Sequence, residues 1–308
     1  MLIKIFQKEY VGELMEKVNY SIVDVFAEGK YTGNPLAVFK NAGNISDSEM
    51  QQIAKEINFS ETTFIMSNSK NDGGYDVRIF TPTEEIPFAG HPTLGTAYII
   101  QNEVVEEPLD KLILNFKGGQ IPVSFNNEEE EVLWMKQNEP IFGQILDSNK
   151  VSDVLNIDKE NIDERFPIQG VSTGLPVIIV PLKSLEAVKK VRINKEKYFE
   201  LIEHTDAKAI MVFCPETYHS KNDLNVRDFA DYYGIPEDAA TGSANGCLAS
   251  YLVKYKFFGE NKINIRVEQG YEIERPSLLF LKADEDNGKF NVNVGGKVVK
   301  IAQGEWVL

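Results

Sequence analysis

The sequence predicts an α+β protein of two similar halves, each a curved sheet or barrel wrapped around one central helix. Three observations support this prediction. Part of the first half recurs in the second half in the same order, and each half contains one helical segment that is apolar nearly all round. Many short strands surround these segments without the regular strand–helix alternation of a Rossmann sheet. At 308 residues, the chain is long enough for two domains.

The internal repeat is the clearest of the three observations. Val77-Arg78-x-Phe80 recurs as Val226-Arg227-x-Phe229, and Ile86-Pro87 recurs as Ile235-Pro236, each time 149 positions later. Both windows run into a segment of small residues, AGHPTLGTAYII in the first half and AATGSANGCLASYLV in the second. A repeat of this length is too long for a solenoid, so it predicts a duplicated domain.

The strands and helices of the first half follow from local patterns. Runs of β-branched and aromatic residues between turn residues predict strands at 21–26, 36–39, 61–66, 75–80, 112–116, 121–125 and 132–136. Ser46 followed by Glu49 is a capping box, so a helix should extend from Ser46 to Asn58. The segment 92–101 predicts a buried helix, because it is apolar on nearly every side.

The second half repeats this mixture of elements. Strands are predicted at 177–181, 209–214, 263–268, 277–282 and 290–294. Helices are predicted near Ser184 and Glu196, and a buried helix from about Ser243 to Tyr255.

Composition and charge exclude several classes of protein. The net charge of −15 disfavours non-specific nucleic-acid binding, which requires clustered lysine and arginine. The longest apolar runs are far shorter than the roughly 20 residues of a membrane-spanning helix. The N-terminus has no continuous apolar core and no small-residue cleavage site, so no secretion signal is predicted. The acidic run from Glu128 to Glu131 is expected to be a solvated hairpin tip.

Cysteine usage and missing motifs narrow the chemistry further. Cys214 and Cys247 form neither a CxxC pair nor a metal-ligand spacing, so they predict a reduced, cytoplasmic location and no metal site. The sequence contains no P-loop, GxGxxG, HExxH or GxSxG motif. We therefore do not predict a phosphate-binding loop, a dinucleotide site, a zinc-protease site or a nucleophile elbow.

The two predicted buried helices begin with similar small residues. Ala89-Gly90-His91-Pro92-Thr93 places proline in the first turn, where its missing N–H costs nothing, and Ala240-Thr241-Gly242-Ser243-Ala244 supplies a flexible backbone and two hydroxyls. One interpretation is that small residues let the helices pack closely. The other is that both helix starts face one cleft and hold a carboxylate by their free N–H groups. Their equivalent places in the two halves favour the second interpretation.

Three side chains are candidates for moving protons. His91 lies at a helix start, where the positive dipole end would lower its pKa and favour a neutral ring, whereas His204 and His219 are expected at the surface. Glu61 is either a partly buried acid–base group or a strand-edge carboxylate facing water, and its local sequence supports both equally. Asp238 either caps the second buried helix or joins the site from a corner equivalent to the first helix start.

These residues carry a resemblance to a known family. The chain resembles the PhzF-like (phenazine biosynthesis F-like) isomerases, relatives of diaminopimelate epimerase, and the resemblance covers nearly everything after about residue 19. The motifs are, in order, Gly33-Asn34-Pro35, Phe59-Ser60-Glu61-Thr62-Thr63-Phe64, Ala89-Gly90-His91-Pro92-Thr93, Ser172-Thr173-Gly174, Glu237-Asp238-x-Ala240-Thr241-Gly242-Ser243-Ala244 and Arg275-Pro276-Ser277.

The resemblance implies a fold and an assembly. The fold would be diaminopimelate epimerase-like, with two pseudo-symmetric β-barrel-like domains, each wrapped around a central helix. The N-terminal domain would comprise residues 19–136 plus 297–308, because the last strand returns to it, and the C-terminal domain would comprise residues 137–296. Homodimers are common in such families.

The resemblance also implies proton transfer without a cofactor. The general acid/base glutamate of the family falls on Glu61, its histidine on His91 and its supporting aspartate on Asp238. Substrate contacts fall on Asn34, Ser60, Gly90, Thr241, Gly242 and Ser243.

Two functions are carried forward from the sequence. The leading hypothesis is an isomerase that moves a proton on a small, carboxylate-bearing substrate. Racemases of related families use a thiol at each helix start, and neither start here has a cysteine, so two-thiol racemisation is not expected. The alternative is a catalytically silent protein that binds a small anion or has a regulatory role on the same fold.

Overall fold

The computed structural model describes residues 16–126 and 131–308. The first strands are β1 Lys17–Val25, β2 Asn34–Lys40, β3 Thr62–Ile65, β4 Tyr75–Phe80, β5 Glu85–Ile86, β6 Lys111–Phe116, β7 Gly119–Asn126 and β8 Val132–Lys136. The later strands are β9 Ile141–Ile145, β10 Gln169–Ser172, β11 Pro176–Pro181, β12 Ala209–Cys214, β13 Leu224–Ala230, β14 Ile235–Asp238, β15 Lys262–Gln269, β16 Ser277–Asp286, β17 Lys289–Gly296 and β18 Val298–Val307. The helices are α1 Asp47–Ile57, α2 Gly90–Glu103, α3 Ser148–Leu155, α4 Leu185–Lys190, α5 Lys195–Glu203 and α6 Gly242–Lys254.

The two halves have the same strand connections. The first run of hydrogen-bonded strands is β18-β1-β2-β3-β4-β6-β7-β8. The second run is β9-β10-β11-β12-β13-β15-β16-β17. Parallel pairs lie at equivalent places, β2–β3 and β4–β6 in the first run and β11–β12 and β13–β15 in the second. Antiparallel pairing of β8 with β17 joins the two runs.

The chain crosses between the runs at two equivalent places. It leaves the first run after β8 and enters the second at β9, and it leaves the second after β17 and returns to the first at β18. The returning strand β18 pairs with β1 from Val25 opposite Val298 to Lys17 opposite Val307. From these two crossings we propose the domain boundaries that the family resemblance implies, with 19–136 plus 297–308 in one domain and 137–296 in the other.

The two long buried helices form the centres of the halves. Helix α2 packs against β1, β2, β3, β6, β7, β8 and β18, and helix α6 packs against β10, β11, β15, β16 and β17. Both helices are buried along most of their length, as expected for a helix enclosed by a sheet instead of lying on it. The predicted fold class is confirmed.

Local sequence signals account for most of the other elements. The side chain of Ser46 accepts a hydrogen bond from the Glu49 backbone N–H at 3.3 Å, and Asn58 ends α1 with a φ of 56°. Ser184 caps α4, the helix predicted near it. The local patterns do not predict β5, β9, β10, β13, β14, β18 or α3, and of these only β18 is implied by the family resemblance. Strand β9 is exposed at four of its five positions, so it carries no alternation of apolar and polar residues.

Two predictions concern residues outside the described ranges. The prediction on secretion concerns the N-terminus, of which residues 1–15 are not described, and the predicted hairpin tip is described only at Glu131. Within residues 16–126 and 131–308, no helix is long and apolar enough to cross a membrane.

Gly95 is expected to tolerate no side chain, because α2 packs on the sheet there through bare backbone. A Cβ atom on Gly95 would lie 2.6 Å from Leu36 Cδ2 and 2.9 Å from Val25 Cγ2. Gly95→Ala gains up to about 1 kcal/mol of helix propensity. Moving the side chains of Leu36 and Val25 aside costs more free energy than this gain. We therefore expect the free energy of unfolding, measured in urea, to fall by about 1–3 kcal/mol. Gly29→Ala, with no atom within 4 Å of the new Cβ, should change stability by less than about 0.5 kcal/mol. Equal losses would contradict this account.

Candidate active site

The first turns of α2 and α6 meet glycine to glycine between the two halves. A Cβ atom on Gly90 would lie 3.2 Å from Gly242 Cα and 3.1 Å from the backbone nitrogen of Ser243. A Cβ atom on Gly242 would lie 2.7 Å from Met135 Cε. Only glycine at both places lets the two helix starts approach this closely. The structure therefore brings together the two segments that the repeat made equivalent.

Neither helix start is capped by a side chain. The N-cap residues are Ala89 for α2 and Thr241 for α6, and neither makes a side-chain hydrogen bond to the first turn. Neither first turn contains an acidic residue. The backbone N–H groups of a helix start carry partial positive charge and need acceptors. Two such starts side by side form a place suited to an anion.

Glu61 lies directly before β3, beside the start of α2. Its side chain is 13% exposed, and its Oε2 atom is 3.4 Å from Nε2 of His91. Burial, and to a lesser extent the negative charge of Asp238, raise the pKa of Glu61 to about 8. The alternative of a strand-edge carboxylate that faces water is therefore wrong.

His91 is buried in the first turn of α2. Its ring is 6% exposed, and burial lowers its pKa to about 3, against a smaller opposing effect from a hydrogen bond with the backbone of Pro35. The ring is therefore neutral, as predicted, and burial is the largest cause. Because Nε2 has no hydrogen-bond partner, the contact with Pro35 belongs to Nδ1, which donates to the carbonyl. The lone pair of Nε2 then faces Glu61.

The facing atoms of Glu61 and His91 are both buried and unpartnered. Oε2 of Glu61 and Nε2 of His91 are solvent-inaccessible and have no hydrogen-bond partner. Most buried polar atoms in proteins are paired, and a catalytic role is one of the explanations for an exception. An acid–base pair whose members keep their hydrogen-bonding capacity free is suited to receiving and donating a proton.

Asp238 ends β14 and does not cap α6, since α6 begins at Gly242 with Thr241 as its N-cap. Its Oδ1 accepts from Nδ2 of Asn34 at 2.8 Å, and its Oδ2 accepts from Oγ1 of Thr241 at 2.6 Å. These hydrogen bonds lower its pKa, but burial has the larger effect and raises it to about 6. Asp238 is therefore charged at neutral pH and is held by residues of both halves.

The remaining predicted contact residues lie around this centre. Asn34 also donates to the carbonyl oxygen of Ala240 at 3.0 Å, so it joins β2 to the start of α6. Gly90, Gly242 and Ser243 form the meeting point of the two helix starts. Ser60 is half-buried and lies next to Glu61 in the chain.

Sequence reasoning missed two buried polar residues beside the site. Gln269 donates to the carbonyl oxygen of Asp238 and to Oγ1 of Thr241, both at 3.0 Å, and accepts from the Thr241 N–H at 3.1 Å. Gln269 is the last residue of β15, and no pattern in the neighbouring sequence indicates these contacts. Asp228 is 1% exposed in β13 and lies opposite Asp238 in the strand pairing. Strand alternation gave a signal here, because Asp228 shares the inward face of Val226 and Ala230.

Comparisons with known proteins place the whole chain in one group. A family model described as "Phenazine biosynthesis-like protein" matches residues 23–304. An uncharacterised isomerase of Clostridium acetobutylicum is 33% identical over 306 residues, which cover 96% of this chain and 100% of that protein. The trans-2,3-dihydro-3-hydroxyanthranilate isomerase of Pseudomonas aeruginosa is 32% identical over 286 residues, which cover 92% of this chain and 98% of that protein.

Solved structures agree with this grouping. The Bacillus anthracis phenazine biosynthesis protein of the PhzF family has a TM-score of 0.88 at 27% identity, covering 96% of this chain and 100% of that chain. A probable proline racemase from Agrobacterium radiobacter has a TM-score of 0.61 at 9% identity, covering 94% of this chain and 93% of that chain. The second similarity concerns the fold alone.

Asn34→Ala is expected to weaken the contact between the halves. The substitution removes both donors of the Asn34 amide and leaves Oδ1 of Asp238 and the carbonyl of Ala240 without them. We expect the free energy of urea unfolding at pH 8 to fall by about 1–3 kcal/mol. The pKa of Asp238 should also rise above about 6, because the lost hydrogen bond lowers it. Asn19→Ala, at an exposed position of β1, should cost less than about 0.5 kcal/mol, and a similar loss in both variants would contradict the interaction.

Proposed function

The chain belongs to the phenazine biosynthesis-like protein family and is an isomerase, and from this premise we propose that it moves a proton on a small carboxylate-bearing substrate without a cofactor. We place the reaction between the two halves, at the meeting point of α2 and α6. The observation that carries the proposal is the buried, unpartnered pair of Glu61 and His91, 3.4 Å apart, beside two uncapped helix starts.

The helix starts supply the binding part of this proposal. The substrate carboxylate accepts hydrogen bonds from free N–H groups of α2 and α6, near Gly90 and Gly242. Because the glycines have no side chains, the ligand can approach the backbone directly. Ser243 lies at the same place and offers a hydroxyl for a further polar group of the substrate. The Thr241 hydroxyl already donates to Asp238 and accepts from Gln269, so towards the substrate it can act only as an acceptor.

Glu61 supplies the chemistry. As a carboxylate it removes a proton from a substrate carbon, and as an acid it returns that proton to a second carbon, so the double bond shifts while the atoms of the substrate stay the same. A pKa of about 8 makes Glu61 a stronger base than an ordinary glutamate. Neutral His91 orients the protonated Glu61 carboxyl, because its Nε2 can accept a hydrogen bond only from the acid form. Charged Asp238 keeps the proton affinity of Glu61 high.

A second candidate function uses the same site without chemistry. Two uncapped helix starts would hold a small anion whether or not Glu61 moves a proton. A catalytically silent anion-binding or regulatory protein would bind a small carboxylate and exchange none of its protons with solvent. The exchange experiment below separates the two functions.

Assembly and location are further parts of the proposal. We propose a homodimer, which the resemblance to the family implies, and size-exclusion chromatography with light scattering tests it. We propose a cytoplasmic location, in keeping with the free, buried thiols of Cys214 and Cys247.

Glu61→Gln is expected to abolish proton transfer. The amide can neither remove nor return a proton, so the rate should fall by about 10²–10⁴-fold. Suitable probes are trans-2,3-dihydro-3-hydroxyanthranilate, which names the activity of the Pseudomonas relative, and other small cyclic amino acids. Incorporation of deuterium from ²H₂O, followed by mass spectrometry, measures the transfer. Glu56→Gln, at an exposed position of α1, is the matched control and should keep the full rate. Equal exchange in both variants would falsify the role of Glu61.

The pH dependence provides an independent test of the same residue. The carboxylate form of Glu61 exists only above its pKa, so kcat/KM should rise with pH and level off above a midpoint near 8. An ordinary glutamate would already be ionised below pH 6, and its profile would be flat in this range. Initial rates measured from pH 6 to 10 decide between these profiles. A flat profile would show that Glu61 does not start the reaction as a base with a raised pKa.

A further inference from the structure

The repeat Val-Arg-x-Phe, the clearest sign of duplication in the sequence, has no part in the proposed mechanism. In the structure it forms the same contact in each half. The guanidinium carbon of Arg78 lies 5.1 Å from the centre of the Phe80 ring, and that of Arg227 lies 4.8 Å from the centre of the Phe229 ring. A cation over an aromatic ring is attracted to the face of the ring. The duplicated motif therefore holds one arginine in place in each half.

Each arginine binds a glutamate of the short strand that follows, through two parallel hydrogen bonds. Arg78 donates from Nε and Nη2 to Glu85 of β5 at 2.8 and 3.0 Å. Arg227 donates from the same two atoms to Glu237 of β14 at 2.9 and 2.7 Å. The glutamates are not equivalent in the repeat, since Glu85 lies 7 residues after its arginine and Glu237 lies 10 residues after. The two halves reach the same contact from different positions, which indicates that the contact itself has a role.

In the second half this contact lies directly beside a residue of the site. Glu237 precedes Asp238 at the end of β14. Successive side chains of a strand point to opposite faces of the sheet. Glu237 binds Arg227 on one face, and on the other face Asp238 accepts hydrogen bonds from Asn34 and Thr241. A contact that fixes Glu237 therefore also fixes the direction of the Asp238 side chain.

The backbone of β14 gives Asp238 little support of its own. Among the strands of the described part of the chain, β14 pairs with β13 alone, and the register shifts between its two paired positions. Such a shift interrupts the ladder of hydrogen bonds locally. Gln269 holds the carbonyl oxygen of Asp238, and the pair of Arg227 and Glu237 is a second anchor for the end of the strand.

Arg227 is itself held rigidly. Its side chain is 5% exposed and that of Glu237 is 10% exposed. Its Nη1 atom donates to the carbonyl oxygens of Val188 and Val191 at the end of α4, at 2.9 and 3.1 Å. A buried ion pair is often no more stabilising than apolar side chains of the same volume, whereas two parallel hydrogen bonds fix one geometry. The burial of the pair therefore favours a role in positioning over a role in stability.

We propose that Arg227 is a positioning residue that fixes Asp238 by binding Glu237 on the opposite face of β14. With Asp238 held in place, the hydrogen bond from Asn34 forms and a negative charge stays close to Glu61. The effect on catalysis rests on the proposed function, whereas the effect on the hydrogen bond from Asn34 does not.

Urea unfolding of a double-mutant cycle tests the positioning without any substrate. Arg227→Lys keeps the charge but cannot make both hydrogen bonds to Glu237 in the same geometry. Once β14 shifts, the hydrogen bond from Asn34 to Asp238 is already weakened. Asn34→Ala should therefore lower the urea midpoint less in the Arg227→Lys background than in the wild type. An equal reduction in both backgrounds would overturn the proposal. Glu237→Gln, which weakens the same pair from its other end, serves the cycle if Arg227→Lys does not fold.

The first half provides the matched control for this cycle. Arg78→Lys disrupts the corresponding pair with Glu85, which lies in the other half from Asp238. In this background, Asn34→Ala should lower the urea midpoint by the same amount as in the wild type. A coupling as large as that of Arg227→Lys would indicate a general loosening of the protein and would overturn the specific role.

Deuterium exchange into trans-2,3-dihydro-3-hydroxyanthranilate tests the effect on catalysis. The titratable groups beside Glu61 are His91, which is neutral, and Asp238, whose negative charge raises the pKa of Glu61. When Asp238 is held less closely, this effect weakens. The midpoint of kcat/KM in Arg227→Lys should therefore move from near 8 to lower pH. Misplacement of the site should also lower kcat by about 10–100-fold.

The outcomes of this measurement separate the two proposals. In Arg78→Lys the pH midpoint should stay at the wild-type value. A wild-type midpoint in Arg227→Lys would overturn the positioning role in catalysis. Absence of exchange in the wild type would count against the proposed function alone, because the unfolding cycle still decides whether Arg227 positions Asp238.

Discussion

The contact between Gly90 and Gly242 constrains the rest of the site. It places two positive helix ends against each other, which is unfavourable unless negative charge lies nearby. Neither helix supplies that charge from its own first turn. The charge comes instead from β14, through Asp238, and in the proposed mechanism from a bound carboxylate. The same contact requires α2 and α6, each enclosed by one run of strands, to point at each other. The fold and the proposed chemistry therefore share one geometric requirement.

Hydrogen-bond donors, more than burial, determine which carboxyl group of the site carries the charge. Glu61, Asp228 and Asp238 all have raised pKa values because all three are buried. Asp238 receives donors from Asn34 and Thr241, and its pKa is about 6. Glu61 and Asp228 each keep one unpartnered oxygen, and their pKa values are about 8. The network thus concentrates negative charge on one carboxyl group and leaves proton-binding capacity on the other two.

The sequence predicts the architecture better than it predicts the site. The repeat and the two apolar helices are local features, so the fold class and most strands follow from them. The role of Glu61 does not, because its burial results from packing against α2, far away in the sequence, and only a family resemblance selected it. For His91 the direction of the pKa shift was predicted correctly, but its largest cause, burial by the surrounding sheet, could not be read from the local sequence. Gln269 shows the limit of sequence reasoning, since its contacts with Asp238 and Thr241 depend wholly on how β15 lies beside the start of α6.

The return of the chain from the second half to the first explains how groups from the two repeats keep their relative positions. Strand β18 completes the first run and begins only after β17 has completed the second, so the first half takes its last strand from beyond the second half in the chain. Arg275 of the second half strengthens this connection, because it donates to Asp24 and to the carbonyl oxygen of Gly33, next to Asn34 in the first. The bond from Asn34 to Asp238 links β2 of the first half to β14 of the second, close to these contacts of Arg275. A duplicated fold with independent halves would leave Glu61 and Asp238 free to separate, and the coupling that raises the pKa of Glu61 would be lost. The return of β18 to the first run thus helps to maintain the acid–base properties of the site as well as the stability of the fold.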